Sequence, residues 1–182
     1  YETGLQGANT GISGVRGLTK SQLQSFGAAY ALNGQTVHGN GWRCTAPGNY
    51  PEIGSYAKPS GWEAIGKAID DGLMTNRGEK PSGDGSDGNP YQITSAEQLA
   101  WFAYRVNEFD DFREAKAKLM GNINLAGLDY TGESSVKSDF SNCLKWKPIG
   151  GNRNGTDAIN SWTFKGEFDG GNHAIINLYV DK

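Results

Sequence analysis

Two carboxylates, Glu167 and Asp169, stand two residues apart in the stretch FKGEFDGGN. On an extended strand that spacing puts both side chains on one face, and paired carboxylates can serve as acid and base. Lys165 shares the face. A solvated polar face is the simpler reading, and no catalytic residue is assigned. A second acidic run, GDGSDGN at residues 83–89, offers the oxygens of Asp84, Asp87 and Asn89 in the spacing of a weak calcium loop. It lacks the terminal bidentate Glu of an EF-hand, and Pro90 follows; a turn between modules competes with the metal reading. The histidines are His38 and His173 and there is no CxxC pair, which leaves little for a zinc centre. His173, beside Asn172, reads as a turn residue rather than a base. Cys44 and Cys143 read as two small core thiols, with a disulfide as the alternative. HExxH, GxSxG and GxxxxGK[ST] are absent, and no cofactor is implied.

Five tryptophans raise a different chemistry, since indole and phenol rings stack on sugar faces. The candidate ligand-binding rings are Trp101, Trp162 and Tyr179. Trp101 falls off the apolar stripe of its helix and is the ring expected to be exposed. The default for the remaining tryptophans is a buried structural role.

The elements that must position these residues follow from periodicity. LTKSQLQSFGAAYAL predicts a helix capped by Thr19 or Ser21, with Leu18, Leu23, Phe26 and Tyr30 as an imperfect stripe, ended by Asn33-Gly34. In GWRCTAPGNYPEIGSY, Trp42 is expected to be buried. WEAIGKAIDDGLM predicts a short amphipathic helix with Trp62, Ile65, Ile69 and Leu73 on one side. NRGEKPSGDGSDGNP has no apolar residue and marks a module boundary near residue 80. Tyr91-Gln92-Ile93 predicts a strand. Ser95 then caps a helix to about Asn107, with Gln98 as capping-box partner and Ala96, Leu99, Ala103 and Val106 on one face. KLMGNINLAGLDY reads as a strand with Leu119, Ile123 and Leu125 inward, and LKWKPIGG as another.

The last apolar stretch is the C-terminal pair. FKGEF places Phe164, Gly166 and Phe168 on one face; HAIINLYV places Ala174, Ile176, Leu178 and Val180 on one face. Asp169-Gly170-Gly171-Asn172 supplies the corner between them, where positive φ is expected.

Composition bounds the partners. The 182 residues carry 17 Lys+Arg against 20 Asp+Glu, a formal charge of -3, which argues against nucleic acid. No run of about 18 apolar residues exists to span a membrane. The 27 glycines and short alternating runs predict many turns and short strands. The chain opens at Tyr1 without Met, as a processed or excised piece would.

Taken in order, GSDGNPYQITSAEQLAWFAYRVN, AKLMGNINLAG, WKPIGG and FKGEFDGGNHAIINLYV resemble the opening of bacterial surface proteins that carry the GLUG motif, over residues 83–182. VRGLTKSQLQSF, GWRC and GNYPEI are similar to the segment that closes such a module; the Gly-rich repeats expected between head and tail are missing, apart from a remnant in TGLQG. The resemblance implies a mainly β fold: a fragment of a right-handed parallel β-helix, pectin-lyase-like, with a capping α-helix and additional short helices. It divides the chain into 1–56, a tail segment; 57–88, a helix and Gly/Pro/Asp-rich linker; and 89–182, the capping helix and first rungs. It implies a secreted or cell-surface protein of gut or oral bacteria, adhesive or structural and not an enzyme. A glycan-binding module is the alternative, and a polysaccharide lyase-like enzyme a more remote one. The partners expected are surface glycans or host proteins, with self-association through an open edge at Leu178 and Val180.

Overall fold

The computed structural model describes residues 18–32, 42–43, 50, 52–53, 59–75, 80–128, 143–150 and 163–180. The expectations for residues 1–17, for Asn33-Gly34 and for the Trp42 side chain lie outside them. Among the described residues the α-helices are α1 Lys20–Leu23, α2 Phe26–Leu32, α3 Trp62–Asp70 and α4 Ala96–Glu108. The strands are β1 Trp42–Arg43, β2 Glu52–Ile53, β3 Tyr91–Ile93, β4 Ala117–Leu119, β5 Ile123–Asn124, β6 Phe168–Asp169 and β7 Ile175–Ile176.

The helix predicted from LTKSQLQSFGAAYAL forms in two pieces. Thr19 caps α1 in a full capping box with Gln22. Ser25 then interrupts: its hydroxyl donates to the Gln22 carbonyl at 2.6 Å and accepts from the Ala28 amide at 3.3 Å. A serine that bonds local backbone competes with the helical ladder, so one helix stops and another starts. Helix α3 forms as its spacing predicts and buries Trp62, Ile65 and Ile69. It ends where Gly72 takes φ 64° and the Leu73 amide reaches back to the Ala68 carbonyl at 2.8 Å. Ser95 caps α4 through the Gln98 amide at 3.2 Å, while the Gln98 side chain accepts from the Thr94 amide.

Helix α4 packs on α3 along one side and on the parallel strands along the other. Gly66 makes the first contact close: a Cβ there would collide with the Ala100 carbonyl. One buried cluster runs from Phe26 through Trp62, Phe102 and Leu119 to Trp146, across the turn-rich stretch where composition places a boundary.

The mainly β expectation is overturned. A right-handed parallel β-helix is not what forms: among the described residues the strands are two or three residues long, in three small sheets, whereas the α-helices reach 13 residues and carry most of the core. The physical reason is length. The apolar period over residues 62–73 and 96–106 is helical and sustained, while each extended run is too short to bury much surface.

What strands there are pair largely in parallel. Sheet order is β3-β4-β6, with Tyr91, Gln92 and Ile93 beside Ala117, Lys118 and Leu119, and Ala117 and Lys118 beside Phe168 and Asp169. The single strand read through residues 118–130 bends instead at Met120–Asn122, and its second part, β5, pairs in parallel with β7. Leu119, Ile123 and Leu125 are buried as their alternation predicts. LKWKPIGG contributes only an isolated parallel bridge from Lys145 to Tyr179. β1 and β2 pair antiparallel.

The C-terminal stretch departs from its predicted inward face. Gly171 and Asn172 take φ 55° and 60°, and the His173 amide closes the corner on the Gly170 carbonyl at 2.8 Å. Asn177 also takes φ 58°. That left-handed step shifts the side-chain alternation, so Asn177 is buried, bonded to Asn124 at 2.8 Å, and Leu178 and Val180 turn out to solvent at 50% and 46% exposure. Ala174 is exposed too, so the inward face expected for HAIINLYV does not form.

Candidate functional site

The parallel strands carry a charged outer face because their inner positions are apolar. Ala117 and Leu119 point to the core, so Lys116 and Lys118 point out; Phe168 packs toward Phe102, so Glu167 and Asp169 point out. Register sets these charges opposite one another. Lys118 Nζ lies 3.0 Å from Asp169 Oδ2, and Lys116 Nζ lies 3.3 Å from Glu167 Oε2. Lys116 also pairs with Asp87 from the 83–90 loop. A shallow groove open to solvent runs beside them, lined by Ser86, Asp87, Glu114, Lys116, Lys165 and Glu167.

The segment before β6 is drawn close by Gly166. Its amide and that of Lys165 both donate to the Arg113 carbonyl, at 3.0 and 2.8 Å. A Cβ at 166 would collide with the Ala115 carbonyl.

The electrostatics are those of ion pairs rather than of proton transfer. The Gly171 amide, 2.8 Å from Asp169 Oδ1, and then Lys118 hold the Asp169 carboxyl below its ordinary range. Hydrogen bonds to Asp87 and Glu167 raise the Lys116 ammonium. Neither group is poised to exchange a proton near neutrality. Tyr104, half-buried against α3, has its hydroxyl pushed up to about 12 by burial, helped by Asp71, Asp70 and Glu108.

The loop of the candidate calcium ligands Asp84, Asp87 and Asn89 is tied together by its own hydrogen bonds. Asp84 Oδ1 accepts from the Ser86 amide at 3.0 Å, and hydrogen bonds from Ser86 and Asn89 hold its carboxyl below the ordinary range. Asn89 closes the loop through its carbonyl, which accepts from the amides of Asp84 and Gly85 at 3.0 and 3.1 Å. Asp87 is turned to Lys116. Among the described residues no three His, Cys, Asp or Glu side chains gather in a way that could hold a metal ion.

Trp101 is the main correction among the ring candidates. It is 3% exposed, edge-on to Tyr91 and Phe112, with its indole N–H donating to Asp70 Oδ1 at 2.9 Å. It offers no face to a sugar. A helix covered on two sides has a wider apolar arc than a one-sided stripe predicts. Tyr179 is half-buried; its carbonyl accepts from the Trp146 amide at 2.7 Å. Trp162, His38 and Cys44 lie outside the described residues, and Cys143 is a buried free thiol. Lys116 thus bridges Asp87 and Glu167, and neither Trp101 nor Tyr179 lines the groove beside them. What sequence reasoning missed is the lysine pair. Its signal was the alternation Ala115-Lys116-Ala117-Lys118-Leu119.

No helix among the described residues is long and apolar enough to cross a membrane. No family model matches the chain, and neither a curated protein nor a solved structure matches it.

Proposed function

We propose that this chain is a non-enzymatic extracellular module of a bacterial surface protein, adhesive or structural in role, with surface glycans or host proteins as its partners. The order of segments over residues 83–182, which resembles that of GLUG-motif proteins, supports the assignment to the cell surface. The observation that carries the non-catalytic reading is the state of the paired carboxylates. Glu167 and Asp169 each hold a lysine, and Asp169 is kept ionised by the Gly171 amide. A general acid needs the opposite, a carboxyl raised toward neutral pH. The burial of Trp101 weighs against the glycan-stacking alternative, which leaned on that ring.

Two assays on the purified chain test this. Saturable retention on immobilised host glycoproteins or matrix proteins, with no unsaturated product from uronate polymers in added Ca²⁺, is the expected result. Turnover of any such polymer that is lost in Glu167→Gln would replace the reading with an enzymatic one.

A further inference from the structure

Among the described residues the small parallel sheets are closed at one edge and open at the other. Beyond β3, Ser82 forms an antiparallel bridge with Gln92, whose amide donates to the Ser82 carbonyl at 2.8 Å. Beyond β6 and β7 no strand follows among the described residues. In the β4–β6 ladder the Ala117 amide takes the Glu167 carbonyl, so parallel geometry turns the N–H and C=O of Phe168 to the far side. The Ile123 amide likewise takes the Ala174 carbonyl, which turns those of Ile175 outward. The same edge exposes Ile175, Leu178 and Val180.

We propose that this edge is a docking site for an extended peptide segment of a partner, of basic–apolar–basic pattern, that adds as a strand alongside Phe168–Asp169. Charge complementarity chooses the occupant. The strand already paired with β6 on its inner side reads Lys116-Ala117-Lys118, opposite Glu167-Phe168-Asp169. The two carboxylates remain open on their outer side, with side chains 69% and 45% exposed. A second segment with cations two residues apart would repeat that pairing, with its backbone on the Phe168 and Ile175 groups.

A second copy of this chain fits less well by either route. A head-to-tail contact would need the outer edge of β3, which Ser82 occupies. An edge-to-edge contact through β6 would set Glu167 and Asp169 against their own kind.

The test uses the full chain and a synthetic copy of its own residues 114–120, EAKAKLM, against the control EAEAELM. Amide NMR shifts are followed during titration. The lysine peptide is expected to shift residues 167–169 and 175–180 with at least roughly tenfold higher affinity than the control. Ile175→Pro removes an outward N–H that the β5–β7 ladder does not use, so it should keep the fold and abolish the shifts. Equal affinity for the two peptides, shifts confined elsewhere, or undiminished binding to folded Ile175→Pro would each overturn the proposal. So would a concentration-dependent dimer, seen by sedimentation, that the lysine peptide dissociates, because a second copy would then be the occupant.

Discussion

Helix α4 and the terminal segment 163–180 are both rich in apolar residues, and they meet at Phe102, yet they end in opposite states. In α4 the residues from Leu99 to Ala103 are all buried, together with Val106. In the terminal segment Phe164 and Phe168 are half-buried against the same core while Ile175, Leu178 and Val180 face solvent. The contrast comes from neighbours rather than from composition. Helix α4 has α3 on one side and the sheet on the other, so even an off-stripe tryptophan is enclosed. The terminal segment has β4 and β5 on one side, and no strand beyond it among the described residues. Burial is therefore a property of the place a segment occupies; hydrophobic pattern only qualifies a segment for it.

The most severe way to break this contrast is to remove the side chain that joins the two regions. Phe102 is fully buried and its ring meets those of Tyr91, Phe164 and Phe168. Phe102→Ala should cost about 3–5 kcal/mol in urea unfolding, with faster amide exchange at Phe168. Loss confined to α4, with Phe168 exchange unchanged, would mean that the two regions are independent. A smaller loss is expected from Gly66→Ala. Alanine favours helix by up to about 1 kcal/mol, but its Cβ would enter the Ala100 carbonyl. The variant should lose about 1–3 kcal/mol net and lower the thermal midpoint. Gly170→Ala in the terminal segment meets no atom within 4 Å and should change stability by under about 0.5 kcal/mol.

Acid sharpens the contrast from the terminal side. The Gly171 amide and then Lys118 hold the folded-state carboxyl of Asp169 below the ordinary aspartate value of about 3.9. Its contribution is therefore complete above that value and fades as pH falls through the lower folded one. Asp169→Asn should flatten the acid limb of a stability-versus-pH curve below about pH 4 and leave the curve near pH 7 parallel to the parent. An effect as small as that of Gly170→Ala belongs to Leu178→Ser. With half its surface already in water, the change should stay within about 0.5 kcal/mol. A loss above 1.5 kcal/mol would show that Leu178 is covered in solution.

Helices were the most legible part of the sequence. The Trp62, Ile65, Ile69 spacing and the Ser95 cap suffice for α3 and α4, because both signals are local. The inward set Leu119, Ile123, Leu125 is legible for the same reason. The fold class was not, since alternation marks extended backbone without saying how long a strand will be paired. Trp101 was misplaced because a single-sided stripe cannot reveal a second covering layer. Asn177 gave no warning: a non-glycine residue at φ 58° carries no sequence mark beyond Asn's tolerance for it. The Asp87–Lys116 pair was invisible for a topological reason, being made only when β4 lies beside β3.

One bond in the core ties a helix to a carbonyl that is synthesised much later. The indole N–H of Trp62 donates to the carbonyl of Leu125 at 3.1 Å, across 63 positions. At ribosomal speeds of about 5–20 residues per second, α3 emerges several seconds before its acceptor exists. Until then Trp62 has no docking place on the sheet side, and a nascent chain stopped at residue 80 holds an amphipathic helix with α2 to pack on but neither α4 nor the sheet. The faces of α3 that meet α4 and the sheet stay open to water until the second half of the chain has followed.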